Sequence, residues 1–186
     1  MHDDALVARG VRVALRRPRE ADRAEFSALV VASHEFLARW AQGAPPAEDP
    51  EGMRWFDSTL AQAASGRSEK LFVVRALDGA LLGAFNFNEI VRGAFESAYL
   101  GYWIGAAYAR QGLMGEALEL ALTWGFGPLG LHRMEANIQP GNQPSIALVR
   151  RAGFVREGFS ERYLKVGGVW RDHERWAITR EAWERG

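Results

Sequence analysis

The chain contains no cysteine. That excludes disulfides, thiolate metal ligands and a thiol nucleophile. It also lacks net charge: Lys+Arg and Asp+Glu each number 23, so nothing global drives the protein onto nucleic acid or an anionic membrane. Apolar runs never approach the ~20 residues of a membrane span, and the start, MHDDALVARG, has neither a basic nor an apolar leader region. A cytoplasmic protein with no membrane and no nucleic-acid partner is the resulting expectation. Internal repeats and low-complexity tracts are absent, as is the lysine of a Walker A loop, and no glycine spacing fits GxGxxG. No metal site is suggested.

What is present suits one domain over residues 1–186, with 48% hydrophobic and 25% charged residues. Val11 to Arg17 alternates apolar and basic residues and reads as a strand stopped by Pro18. Arg19 to Ser33 reads as a helix with Phe26, Leu29 and Val30 on one face, and His34 to Trp40 continues it or forms a second. Ala41 to Pro50 is the most loop-like segment, and Pro50 to Ala64 carries Met53, Phe56, Leu60 and Ala64 in helical register.

The period then changes to two. Lys70 to Leu77, Leu81 to Val91 and Glu96 to Ile104 read as a three-strand meander turning at Asp78-Gly79 and Arg92-Gly93. A glycine-containing loop, Ala109 to Gly115, leads into a helix from Gly115 to Phe126, with Ala117, Leu118, Ala121, Leu122 and Trp124 at helical spacing. Arg133 to Ile138 is the next strand and Gln143 to Ala152 the next helix, with Pro144 in its first turn. Val155 to Val166 and Val169 to Thr179 close the chain as a hairpin over Gly167-Gly168. The order β-α-α-β-β-β-α-β-α-β-β predicts an α/β (α+β) fold with a mixed sheet. The strands at Ala98 and Arg133, separated by a helix, should be parallel neighbours.

A helix that starts directly after a glycine loop directs unpaired N–H groups and the positive end of its dipole at whatever lies there, and a pyrophosphate suits that place. A Cβ at the glycine would hold phosphate off the backbone donors. The segments NEIVRGAF, AYLGYWIG, RQGLMGEAL, GNQPSIALVRRAGF and VWRDH, in that order, resemble the GCN5-related N-acetyltransferases (GNAT). Within them the resemblance is to the RimJ/RimL group of ribosomal-protein-alanine N-acetyltransferases, and to RimJ-type members most of all.

That resemblance implies a mostly antiparallel sheet whose central parallel pair splays apart, with acetyl-CoA held in the wedge. Backbone groups of Tyr102, Trp103 and Ile104 would pair with the pantetheine arm. The loop Arg110, Gln111, Gly112, Leu113, Met114 and Gly115 would wrap the pyrophosphate, and Asn142 would border the arm. Arg110 could contact phosphate directly or simply be solvated. The family pattern Q/R-x-x-G-x-G/A is met at Gly112 but not at Ala109 or Met114, so donors from the backbone carry the expectation. Ser145 resembles a serine that assists the departing thiolate; it could equally cap its own helix. Some relatives place a glutamate base and a tyrosine acid where this chain has Asn137 and Val149, so that acid/base pair is absent. Asn137 is retained as a catalytic candidate that could hold a proton-accepting water.

Glu135, Glu89 and Glu96 remain as possible bases, with a solvated or salt-bridged Glu135 the simpler reading. Asp172-His173, with no partner at catalytic or metal spacing, reads as structural, and Trp40 could line a substrate mouth. With no cysteine, transfer would be direct. The implied reaction moves acetyl from acetyl-CoA to a primary amine, first a protein N-terminus (a ribosomal protein among the possibilities). A small-molecule amine and a non-catalytic acyl-CoA-binding module are the alternatives. A monomer or homodimer is expected.

Overall fold

The computed structural model describes residues 5–40, 49 and 51–186. Its strands are β1 (Leu6–Arg9), β2 (Val13–Arg16), β3 (Glu69–Arg75), β4 (Leu81–Val91), β5 (Ser97–Ile104), β6 (Arg133–Ile138), β7 (Val155–Val166) and β8 (Val169–Thr179). The helices are α1 (Arg23–Ala32), α2 (His34–Ala38), α3 (Met53–Ala63), α4 (Leu113–Phe126), α5 (Gln143–Arg151) and α6 (Arg180–Glu184).

All the strands form one sheet in the order β1-β2-β3-β4-β5-β6-β8-β7. Every pair is antiparallel except β5 with β6, which is parallel as the intervening helix requires. The hydrogen-bonded register of that pair runs only from Ser97↔Arg133 to Leu100↔Ala136. Beyond it, residues 101–104 keep β4 on one side, with Tyr102 opposite Phe85 and Ile104 opposite Gly83, and among the described residues no strand on the other. The sheet opens into a wedge there.

Each face of the sheet has its own core. On one, α4 and α5 lay Ala117, Leu118, Ala121, Leu122, Ile146 and Val149 over Phe85, Phe87, Leu100, Met134, Ala136 and Ile138. On the other, α1 to α3 bring Phe26, Val30, Leu37 and Phe56 onto Phe72, Ala84 and Trp103. Phe26 is the hub of the second core, with ring centroids 5.2 Å from Phe56, 5.6 Å from Trp55 and 5.8 Å from both Phe72 and Trp103.

The predicted elements from β3 to β8 are all present, most with the expected bounds. Three differences have local causes. The strand expected over 11–17 is present as β2, one arm of a hairpin whose other arm, β1, went unexpected because Leu6–Arg9 is short and half-exposed at the sheet edge. The helix expected over 19–33 opens with a separate 3-10 turn, Glu20–Asp22. His34–Ala38 forms the second helix that the sequence allowed, the break falling at Ser33, whose hydroxyl receives Ala106 N–H at 3.0 Å. A final short helix, α6, was not expected and is capped by Thr179, which accepts from Ala182 N–H. The loop expected at Ala41 to Pro50 lies, apart from Asp49, outside the described residues.

Candidate acetyl-CoA cleft

The wedge opens into a cleft of about 1220 Å³ between the start of α4, α5, the open edge of β5 and the α1–α2 junction. Among the expected site residues, Tyr102, Trp103 and Ile104 line it from β5, and Arg110, Gly112, Leu113, Met114 and Gly115 from the loop and first turn of α4. Asn142 and Ser145 line it from the start of α5, and Phe36 and Trp40 from the facing side. Trp40 also packs on Gly141, where a Cβ would stand 3.1 Å from its ring. Gln111 and Asn137 do not line the cleft. Gln111 turns its Nε2 to the Ala107 carbonyl at 2.8 Å, and Asn137 belongs to the opposite face of β6.

Helix α4 begins at Leu113, two residues earlier than the periodicity suggested, so Leu113, Met114 and Gly115 form its first turn rather than a loop. Its N-cap, Gly112, has φ +75° and no side-chain cap. Only Gly115 and Glu116 N–H bond back to the Gly112 carbonyl. Among the described residues the N–H groups of Gly112, Leu113 and Met114 meet no acceptor, which leaves the positive end of the helix free to face an anion. A Cβ on Gly112 would point toward the Arg12 guanidinium, 3.4 Å away. Glycine is required here for its left-handed backbone rather than for clearance on the phosphate side.

Arg12, which the sequence pattern did not single out, clamps the loop from behind. Its Nη1 donates to Gln111 O at 2.9 Å, its Nη2 to Gly112 O at 3.3 Å and its Nε to Glu116 Oε2 at 3.0 Å. Glu116 Oε1 accepts from the Arg12 and Val13 N–H groups at 2.7 and 3.3 Å. Burial works to raise the Glu116 pKa, but these donors and the guanidinium outweigh it and hold the carboxyl below its usual range. Two residues 104 positions apart carry this latch, and no local spacing could have revealed it.

Ser145 does not cap its helix with its own side chain. Asn142 is the cap, its Oδ1 accepting from Ser145 N–H at 3.3 Å. The Ser145 hydroxyl is instead 2.7 Å from the Tyr102 hydroxyl. Burial pushes the Tyr102 phenol up to about 12, against a smaller lowering by Ser145, so it stays protonated at neutral pH. The hydroxyl pair has no signal in the sequence, because it joins residues 43 positions apart and the motif around Tyr102 points to its backbone alone.

The remaining chemical candidates take structural places. Glu135 is paired with Arg133 at 3.0 Å, the salt-bridged reading. Glu89 and Glu96 are exposed, both with positive φ, at the bulge and turn around Arg92-Gly93. His173 is buried with its Nδ1 2.9 Å from Arg171 O, while Asp172 Oδ1 accepts from Arg162 N–H at 2.8 Å, so the two make no dyad. Among the described residues no group of three or more His, Cys, Asp or Glu could hold a metal ion, and no helix is long and apolar enough to cross a membrane.

Comparison with known proteins gives concordant relatives. The acetyltransferase (GNAT) domain model matches residues 12–155. The [ribosomal protein uS5]-alanine N-acetyltransferase of Escherichia coli is 42% identical over 106 residues, 57% of this chain and 55% of that protein. The probable N-acetyltransferase YjcK of Bacillus subtilis is 38% identical over 106 residues, 57% of this chain and 59% of that protein. The aligned region thus spans little more than half the length of these curated relatives. Among solved structures, Mycobacterium smegmatis RimJ in complex with CoA-disulfide superposes with a TM-score of 0.83 at 33% identity, covering 91% of this chain and 82% of that one.

Proposed function

This chain belongs to the acetyltransferase (GNAT) family, and from that premise we propose that it moves acetyl from acetyl-CoA to the α-amine of a protein N-terminus. The observation that carries the reading is the one-sided edge of β5 past Leu100, lying beside a helix start with free N–H groups. The Escherichia coli relative is named for alanine N-acetylation of a ribosomal protein, which makes a ribosomal N-terminus the first candidate acceptor.

The residues present suit acetyl-CoA. The cleft exceeds the ~300–1,000 Å³ of ordinary ligand sites, as a long cosubstrate needs. Among the described residues, Arg39, Arg110 and Arg151 line it against one carboxylate, Glu35, a balance that favours phosphates. The free N–H groups of Gly112, Leu113 and Met114 would hold the diphosphate. Tyr102 and Ile104 turn their backbone groups away from β4 to the open edge, where they suit an amide-bearing arm, while those of Trp103 face Ala84 of β4. When bound, acetyl-CoA supplies the activated thioester. The chain orients it, keeps water from it and stabilises charge: Tyr102 donates to Ser145, and Ser145 in turn donates to the sulfur as it leaves.

No strong base is needed for an α-amine. Such a group titrates near ~7.7–8.0 and a lysine side chain near ~10.4, so at pH 7.5 about a third of the former is neutral against roughly one in a thousand of the latter. The deciding assay is thiol release from acetyl-CoA at pH 7.5 with two peptides, one with a free N-terminus and no lysine, the other blocked with one lysine. Faster acetylation of the first is expected; preference for the second would overturn the α-amine reading. Binding of CoA without turnover on any peptide or small amine would leave an acyl-CoA-binding module, the reading favoured by Asn137 and Val149 at the acid/base positions.

A further inference from the structure

The sheet face beneath α1–α3 carries a polar row that the cleft does not use. Register sets Lys70 beside Asn86 and Asn86 beside Gly101. The β5–β6 pairing ends at Leu100↔Ala136, so Gly101 and Asn137 are the first residues of the wedge. Alternation puts the row on one face: Phe72, Ala84 and Trp103, each two residues along its strand, join the second core, while Met134, Ala136 and Ile138 join the first. Lys70, itself buried, donates its Nζ to Asn88 Oδ1 at 2.5 Å, which satisfies that oxygen. The Oδ1 atoms of Asn86 and Asn137 are also buried, yet among the described residues neither meets a donor. A buried amide oxygen without a donor burdens a fold, and two of them stand on either side of the row's glycine at the mouth of the wedge.

We propose that Asn86 and Asn137 receive the two N–H groups of the acceptor's primary amine, across Gly101, where a Cβ would stand 3.0 Å from Asn88 Nδ2 and only a glycine leaves room beside that amide. This rests on the acetyl-transfer reading and deepens it by naming how the amine is held. A neutral primary amine has two N–H bonds and one lone pair. Two amide oxygens occupy both N–H groups and leave only the lone pair to face the wedge. The scale fits: strands two apart set the backbones of the two asparagines ~10 Å apart. A nitrogen donating two hydrogen bonds of ~2.9 Å at the roughly tetrahedral angle between its N–H bonds spans ~4.7 Å between oxygens, and the side chains cover the rest. As the lone pair forms the N–C bond and the C–S bond breaks, the electron pair leaves on sulfur. The amine nitrogen then gives up a proton to water, while the amide oxygens keep it oriented without taking that proton. An N-methylated or proline N-terminus offers a single N–H and leaves one oxygen unpaired, so it should be discriminated against.

The test uses the full chain saturated with CoA. An Ala-initiated peptide amide, its N-methyl-Ala form and its N-acetyl form are titrated, with the side-chain NH₂ resonances of Asn86 and Asn137 followed by NMR. The free amine should shift both pairs of signals, the N-acetyl form neither, and the N-methyl form should bind roughly tenfold more weakly. In steady state, Asn86→Ala and Asn137→Ala should each raise KM for the Ala peptide roughly tenfold while leaving KM for acetyl-CoA and Tm unchanged, since an oxygen without a partner does not stabilise the fold. The inference falls if the free amine leaves both asparagines undisturbed or fails to bind, or if the N-methyl peptide is bound as well as the parent. It also falls if the variants lose stability and acetyl-CoA affinity together with the acceptor. Shifts without acetyl transfer would overturn the acetyl-transfer reading and leave the amine site standing; transfer without shifts would overturn the site alone.

Discussion

Ser145 and Tyr102 show how much one hydroxyl contact can decide. Their 2.7 Å separation assigns Ser145 away from helix capping, because Asn142 already fills that place. Ser145→Ala should therefore lower kcat far more than it raises KM for acetyl-CoA, by roughly 10- to 100-fold, the scale of one or two hydrogen bonds made as charge develops. Tyr102→Phe removes the donor behind Ser145 and should reproduce part of that loss. A serine variant that changed only the melting temperature would return Ser145 to a structural role. At His173 the sign is set by burial, which pushes its pKa down. The neutral form belongs to the folded state, so this contribution to stability is complete above the ordinary ~6.5 and declines as pH falls through the lower, folded value. His173→Gln should flatten that acid limb in melting curves recorded below pH 6.5.

The start of α4 is the element on which cosubstrate binding turns. Arg12 holds the carbonyls of Gln111 and Gly112 from behind, which leaves the N–H face of the loop directed toward the cleft. Arg12→Ala should weaken CoA binding roughly 3- to 10-fold in calorimetry with little change in Tm, because the clamp positions donors and buries little. Glu116 carries the same latch into pH. Its folded pKa lies below the ordinary 4.5, so its contribution is whole above that value and is lost as pH falls through the folded one. CoA affinity should fall in that window in the parent, and Glu116→Gln should remove the dependence along with part of the affinity. Gly112→Val forces a β-branched residue to φ +75°, a cost of at least ~1–2 kcal/mol, and brings it against Arg12. Loss of CoA binding is the expected result, and unchanged affinity would remove the diphosphate from this loop.

At the scale of the whole molecule, two cores on opposite sheet faces meet at β5. The same strand sends Leu100 and Tyr102 to the α4–α5 side and Trp103 to the α1–α3 side. Phe26, 1% exposed and ringed by four aromatic side chains, supports Trp103 from below. Phe26→Ala should cost ~3–5 kcal/mol, which for a chain of this length lowers Tm by roughly 6–20 °C in calorimetry. Retention of the parent Tm would mean that the α1–α3 layer adds little to the stability of the sheet.

Period-two and period-3.6 patterns were enough to lay out β3 to β8 and the helices between them, because an element that buries one face writes that face into local spacing. The parallel β5–β6 pair followed as well, since a helix between two strands brings the second back in the same direction. GNAT membership was legible because RQGLMGEAL and GNQPSIALVRRAGF are contiguous. The edge strand β1 was not, since a short, half-exposed strand has little to bury and leaves little pattern. Neither were the Arg12–Glu116 latch, the Tyr102–Ser145 hydroxyl pair or the Asn86–Gly101–Asn137 row. Each joins residues tens of positions apart, through a partner's side chain or a strand register that local spacing does not encode. Only the assembled sheet, with its wedge beginning after Leu100, decided which polar groups would face one another.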